Sequence, residues 1–284
     1  MCATAAQAAA PKTKAAADYD RLVNAVVAYY HLPGIAVGVI ENGKVVYTKE
    51  VGTLDSGKPI NGDTLFEIAS NTKAMTSTLL ARLVQEGKLR WDDPVTKYLP
   101  DFRMHDPWVT TNMQVGDLLV HHSGLPEGAG DLMLWPEPND FTPQDVVHGL
   151  QYLKPAYSFR AGYAYDNTLY IVAGQVAAAA GGAPWPVLMR REIFQPLGMT
   201  RCQIGTWNRV QVGNVASSHD MQDGHFVAEP FDGAIVHPAT MDSAGGVRCS
   251  LNDMLTWAMN WLVPTPRQLQ WLSPQQRQKE WTAY

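Results

Sequence analysis

Apolar positions recur at helical spacing in the first ordered stretch: Leu22, Val23, Val26 and Val27 predict a helix from Asp18 to Tyr30, stopped by Pro33-Gly34. The pattern then changes. Gly34–Ile40 and Val45–Thr48 are β-rich runs flanking Asn42-Gly43, a pair that accepts positive φ and predicts a tight hairpin. From Asn71 to Glu86 the spacing is helical again, with Met75, Leu79, Leu80, Leu83 and Val84 on one face and Gly87 in the C-cap position. Residues 101–140 are rich in Pro, Gly, Asp and Trp and read as loops with short helices. Thr142-Pro143 opens another helix. Further helices are predicted over Asn167–Ala180, ending at Gly181-Gly182, and over Pro186–Phe194, stopped at Pro196-Leu-Gly198. Ser250-Leu-Asn-Asp253 reads as a capping box for a helix through Leu262. There are no internal repeats and no long linker.

Composition adds a few exclusions. Apolar residues are 46% and charged residues 17% of 284, enough material for one large domain or two lobes around a cleft. The net charge is −5 and basic residues are scattered, which excludes a concentrated nucleic-acid footprint. The longest apolar run, Ile171–Ala183, contains Gln175 and three glycines and is too short for a membrane span of roughly 20 residues. Cys2, Cys202 and Cys249 have neither CxxC nor Cys/His spacing, so buried free thiols at 202 and 249 are the expectation. Residues 1–17, nine of them alanine, read as a disordered tail or the remnant of a secretory leader, with small residues around Ala6-Gln7-Ala8 resembling a cleavage site.

Candidate chemistry sits in two places. In Ala69-Ser70-Asn71-Thr72-Lys73 a serine opens the predicted helix and a lysine follows three residues later, on the same side and one turn on. The helix N-terminus favours an alkoxide forming on Ser70, and a lysine beside it can accept the proton where no histidine is at hand. By composition alone such a pair arises roughly once in three chains, so the spacing by itself favours an N-cap serine and a solvated lysine. The second place is Tyr163-Ala-Tyr165-Asp166-Asn167, in a turn before a helix. Tyr165 and Asn167, two apart, can point into one cleft, the phenol to shuttle a proton and the amide to hold a lysine and a substrate. The competing reading has Tyr165 in the core and Asn167 as a helix cap. His121-His122-Ser123 tempts a Ser-His-Asp reading, but no Gly-x-Ser-x-Gly elbow is present, and a structural, hydrogen-bonded His121 is expected.

Together, Ser70-x-x-Lys73 at a helix start and Tyr165-x-Asn167 before another resemble the serine β-lactamase and penicillin-binding-protein superfamily. The tyrosine variant looks like its branch of class C β-lactamases, family VIII esterases and D-amino-acid peptidases. Leu118-Leu-Val-His121-His-Ser-Gly-Leu125, the opening hairpin, Gln195–Thr200 and Ala244-Gly-Gly246 resemble further landmarks, in family order from about Asp18 onward. The resemblance implies an α/β (α+β) fold: an antiparallel sheet flanked by helices, plus a mostly helical lobe over about 64–240 within a domain of residues 18–284. It implies Ser70 as the acylated nucleophile, Lys73 and Tyr165 as proton carriers, Asn167 as substrate-orienting, and the Ser70 amide as half of an oxyanion hole. The expected partner is a small-molecule ester, D-amino-acid peptide or β-lactam. No nucleotide or metal cofactor is implied; a periplasmic or secreted location is the expectation that the leader-like start carries. A sensor that is acylated without turnover, or a structural protein that kept the fold, are the rival readings.

The family's third motif, Lys-Thr-Gly or His-x-Gly, finds no match after Tyr165: Lys279 is followed by Glu280-Trp281, and His219, His225 and His237 lack glycine two places on. The expectation is a copy truncated before the C-terminal strands, with the hairpin's edge and inner face open, poor stability and little turnover.

Overall fold

The computed structural model describes residues 14–136, 139–229, 231 and 233–282. Residues 1–13 of the expected tail or leader lie outside them. The first helix, α1 (Lys14–Tyr30), starts four residues before the apolar pattern indicated. The hairpin β1 (Gly34–Glu41) and β2 (Lys44–Gly52) follows, antiparallel, with Glu41 opposite Lys44. Asn42 and Gly43 take φ of 49° and 72°, both central positions of a turn in the left-handed region, as the Asn-Gly pair predicts.

A helix lies against each face of this hairpin, so the expected open inner face is partly covered, while Val45 and Val46 stay exposed. On one side the Tyr47 hydroxyl donates to Asp20 of α1 at 2.9 Å and the Tyr19 ring lies 5.2 Å from that of Tyr47. On the other, Gly38 faces Leu251 and Leu255 of the Leu251–Leu262 helix; a Cβ at Gly38 would stand 2.8 Å from a Leu255 methyl, so close approach demands glycine there. Two helices therefore supply the burial that a lone hairpin lacks. Among the described residues its edges carry no third strand.

The remaining strands form three more antiparallel pairs: Leu65–Glu67 with Arg248–Ser250, Trp207–Asn208 with Ile235–Val236, and His219–Gln222 with His225–Ala228. The core is built on α2 (Thr72–Gln85), whose Met75, Leu79, Leu80 and Leu83 are fully buried, and on the Thr168–Gly181 helix packed against it. Gly87 and Gly182 end these helices at φ of 71° and 69°, close to where the sequence indicated. The predicted Pro186–Phe194 helix runs from Trp185, takes a π-helical form over Met189–Phe194, and ends at Gly198, φ 75°. No single helix among the described residues is long and apolar enough to cross a membrane.

Two local expectations change. Ser250 does accept from the Asp253 amide, but Asp253 turns its carboxylate to the amides of Arg201 and Cys202 at 2.8 Å each instead of closing a capping box. Cys202 and Cys249, expected as free thiols, are joined in a disulfide with Cα atoms 4.2 Å apart. The reason is a backbone pair: Gln203 and Arg248 exchange N–H···O=C bonds of 2.8 and 3.0 Å, which puts their neighbours 202 and 249 directly opposite each other.

Candidate active site

Three segments meet at Ser70. The first is the Leu65–Glu67 strand running into a single 3-10 turn, Ala69–Asn71, and then α2. Ala69 takes φ 45°, a left-handed conformation that a residue with a Cβ adopts at a cost, so the turn that presents Ser70 is held by its surroundings. One turn on, Lys73 is 6% exposed, and its three ammonium hydrogens reach Ser70 Oγ at 3.1 Å, Asn167 Oδ1 at 2.8 Å and the Ala244 carbonyl at 2.9 Å. A buried ammonium needs its donors satisfied, and here they are.

The second segment is Tyr165-Asp166-Asn167. Its side chains alternate. Tyr165 donates its phenolic hydrogen to Ser70 Oγ at 2.7 Å, and Asn167 faces Lys73. Asp166, between them and fully buried, points the other way and accepts from the Thr168 amide (2.8 Å), the Thr168 hydroxyl (2.6 Å) and the Leu169 amide (3.3 Å), anchoring the start of the following helix. Burial pushes its carboxyl above the ordinary aspartate range, against the pull of these hydrogen bonds.

The third segment is 243–247, and α2 ties it down through its own threonines. Thr76 donates to the Ser243 carbonyl at 2.7 Å, Thr72 accepts from the Val247 amide at 3.2 Å, and Ile68 N–H meets the Val247 carbonyl at 3.0 Å. Thr72 and Thr76 are one turn apart on the same buried face, so the Ala244 carbonyl is aimed at Lys73 by a two-point attachment.

His121 holds Tyr165 in place. Its Nδ1 accepts from the Asp166 amide at 3.1 Å, which assigns the ring proton to Nε2, and the ring stacks on Tyr165 with centroids 4.6 Å apart. Burial, aided by the Lys73 charge, lowers its protonation to about 4, so the ring is neutral near pH 7. His122 and Arg160 both bind the Asp117 carboxylate, and Ser123 donates to Asp166, so the His-His-Ser run is absorbed into structure.

Ser70, Lys73, Tyr165 and Asn167 are thus brought together as the motifs suggested. The Ala244 carbonyl, the Tyr170 ring 5.3 Å from Lys73 Nζ, and Asp131 beside Asn167 were not foreseen. The Ala244-Gly-Gly run was visible as a landmark, but a backbone acceptor carries no residue signature. Among the described residues no three His, Cys, Asp or Glu side chains gather as a metal-ligand set.

The sequence profile of the Beta-lactamase family matches residues 19–283. The chain belongs to that family. It is similar to a beta-lactamase from Pseudomonas fluorescens (31% identity over 83% of this chain and 62% of the relative) and to Esterase EstB from Burkholderia gladioli (34% identity over 66% of this chain and 51% of the relative). The chain therefore spans about half to three-fifths of those family members' length. In fold it is similar to an octameric penicillin-binding protein homologue from Pyrococcus abyssi, with TM-score 0.78 and 24% identity, covering 93% of this chain and 59% of the other. That likeness shows the α+β fold, while the family profile and the beta-lactamase and esterase relatives place the chain within the serine β-lactamase and penicillin-binding-protein superfamily.

Proposed function

We propose that the chain carries the acylation centre of a serine hydrolase acting on a carboxylic ester or D-amino-acid peptide. The observation that carries this reading is the position of Ser70 Oγ, within hydrogen-bond distance of both Tyr165 (2.7 Å) and Lys73 (3.1 Å). Ser70 Oγ attacks the substrate carbonyl carbon while its proton passes to the Tyr165–Lys73 pair, which returns it to the departing alkoxide or amine. The acyl group stays on Ser70 until water, giving a proton to the same pair, attacks the ester carbonyl; the pair returns that proton to the departing Ser70 Oγ as the acid is released. Asn167 orients the lysine and a substrate amide or carbonyl. Export to an oxidising compartment, periplasmic or extracellular, belongs to the same reading and is supported by the Cys202–Cys249 disulfide.

A β-lactam as substrate is the second reading, favoured by the 31% identity to the Pseudomonas fluorescens beta-lactamase. Intact-mass spectrometry after exposure to a fluorophosphonate and, separately, a penicillin, beside Ser70→Ala, tests both. A Ser70-dependent adduct that decays supports a hydrolase, and the preferred reagent ranks esterase against β-lactamase. A penicillin adduct that persists points to a sensor, and no adduct on Ser70 rejects the catalytic reading.

A further inference from the structure

Asn167 has two different ends. Its Oδ1 accepts from Lys73 at 2.8 Å, and its Nδ2 donates to both Asp131 carboxylate oxygens, at 3.2 and 3.4 Å. The oxygen and the amino group of an amide are nearly alike in shape, so packing alone does not choose between them; the hydrogen-bond partners do. An ionised carboxylate accepts only, so Asp131 requires Nδ2 to face it. Gly130 lets it come this close. With φ 83°, and with a notional Cβ only 2.8 Å from Thr168 Cγ2, Gly130 brings the loop against the start of the Thr168–Gly181 helix, directly below Asn167.

We propose that Asp131 is a positioning residue that locks the Asn167 amide with its oxygen toward Lys73 and so keeps the lysine lone pair free for the Ser70 proton. The inference rests on the reading of Ser70 as nucleophile. When Lys73 is an ammonium, it holds Oδ1 by itself. When Lys73 has given up a proton, its nitrogen can accept, and an unrestrained amide would turn Nδ2 toward it and occupy that lone pair. Asp131 opposes the turn, because the turn would set the amide oxygen against a carboxylate. The neutral amine then finds one hydrogen to accept, that of Ser70, 3.1 Å away.

The groups around Lys73 are few. The Tyr165 and Tyr170 rings lie 4.8 and 5.3 Å from Nζ, and His121 stacks behind Tyr165. His121 is held near 4 and Tyr170 is pushed well above its ordinary value by burial, so neither titrates near neutrality. Glu280, whose charge reaches Tyr170, is pushed up to about 7 by burial, so Glu280→Gln serves as a control background.

The test is the pH profile of Ser70 acylation by a fluorophosphonate in wild type, Asp131→Leu and Asp131→Asn, each also in the Glu280→Gln background. Asp131→Leu is expected to lower the plateau rate about 10-fold, as loss of an orienting partner typically does. It should also move the acid limb to lower pH, since an amide turned to Lys73 donates to the amine. Asp131→Asn can offer its own carbonyl oxygen to Nδ2, so it recovers most of the plateau and returns the limb toward its wild-type position. An unmoved limb in Asp131→Leu, or equal losses in the Leu and Asn variants, overturns the proposal in favour of a merely structural contact. Wild type that never labels at Ser70 overturns the hydrolase reading instead. The Asn167 side-chain amide resonances, assigned by their loss in Asn167→Ser, report the contact without turnover: if they are identical in wild type and Asp131→Leu, the lock does not exist.

Discussion

The phenol of Tyr165 meets the hydroxyl of Ser70 at 2.7 Å across 95 residues of chain, and the lysine that completes the group comes from the serine's own helix. Removing the phenolic oxygen leaves the ring stacked on His121 and the Lys73 contacts in place. Tyr165→Phe is therefore expected to fold normally and to acylate about 10²–10⁴-fold more slowly, the usual range for a lost proton carrier. Thermal melts beside labelling kinetics check it, and a rate within threefold of wild type would remove Tyr165 from the proton path.

Thr76 tests how the Ala244 carbonyl is held. Thr76→Val keeps the shape but withdraws the donor to the buried Ser243 carbonyl. The expected stability loss is about 1–3 kcal/mol, the cost of leaving a buried acceptor unpaired. Labelling should slow as well, since Ala244 is the next residue. Denaturant melts paired with acylation rates would show whether the two effects travel together.

The Cys202–Cys249 disulfide closes a loop with a sequence separation of 47. Chain entropy alone gives about 4 kcal/mol for a loop of that size. Cys202→Ser with Cys249→Ser, or reduction, should cost about 2–4 kcal/mol. Alkylation without reductant checks the pairing: the native protein should leave these two cysteines unmodified.

Two buried groups tilt stability in opposite senses with pH. His121 takes its proton near 6.5 when unfolded and near 4 when folded, so its contribution is complete above 6.5 and is lost as pH falls toward 4. At face value that is about 3 kcal/mol, and partial exposure of the ring reduces it to roughly 1–2 kcal/mol. Glu280 is displaced from 4.5 to about 7, so its contribution is present below 4.5 and is lost as pH rises through 7. Melting temperatures from pH 4 to 8 should fall more steeply toward acid in Glu280→Gln than in wild type. His121→Phe should flatten that acid fall.

Local features were the legible ones. Ser70 and Lys73 are three residues apart on one helix, so their proximity follows from helix geometry whatever the rest of the fold does. The Asn42-Gly43 turn was readable because its φ values are a property of those two residues. The meeting of Tyr165 and Asn167 with Lys73 was readable only through the resemblance, since nothing in a two-residue spacing says which distant helix it will face. What stayed hidden depends on backbone position. The Ala244 carbonyl, the opposition of residues 202 and 249, and the path of Gly130 that carries Asp131 under Asn167 have no side-chain signature. Asp253 misled for a related reason: a capping sequence offered one partner, and the long-range amides of Arg201 and Cys202 offered two.

The three acceptors around Lys73 also set a timetable for folding. They lie 3, 94 and 171 residues from it along the chain. The helix supplies the first within microseconds, whereas the other two wait for the closure of long loops. Until both arrive, desolvating the ammonium is unfavourable, so the lysine stays in water and the serine has no poised partner. Ser70 reactivity should therefore return only with the last cooperative step of refolding, leaving nascent and half-folded chains chemically silent.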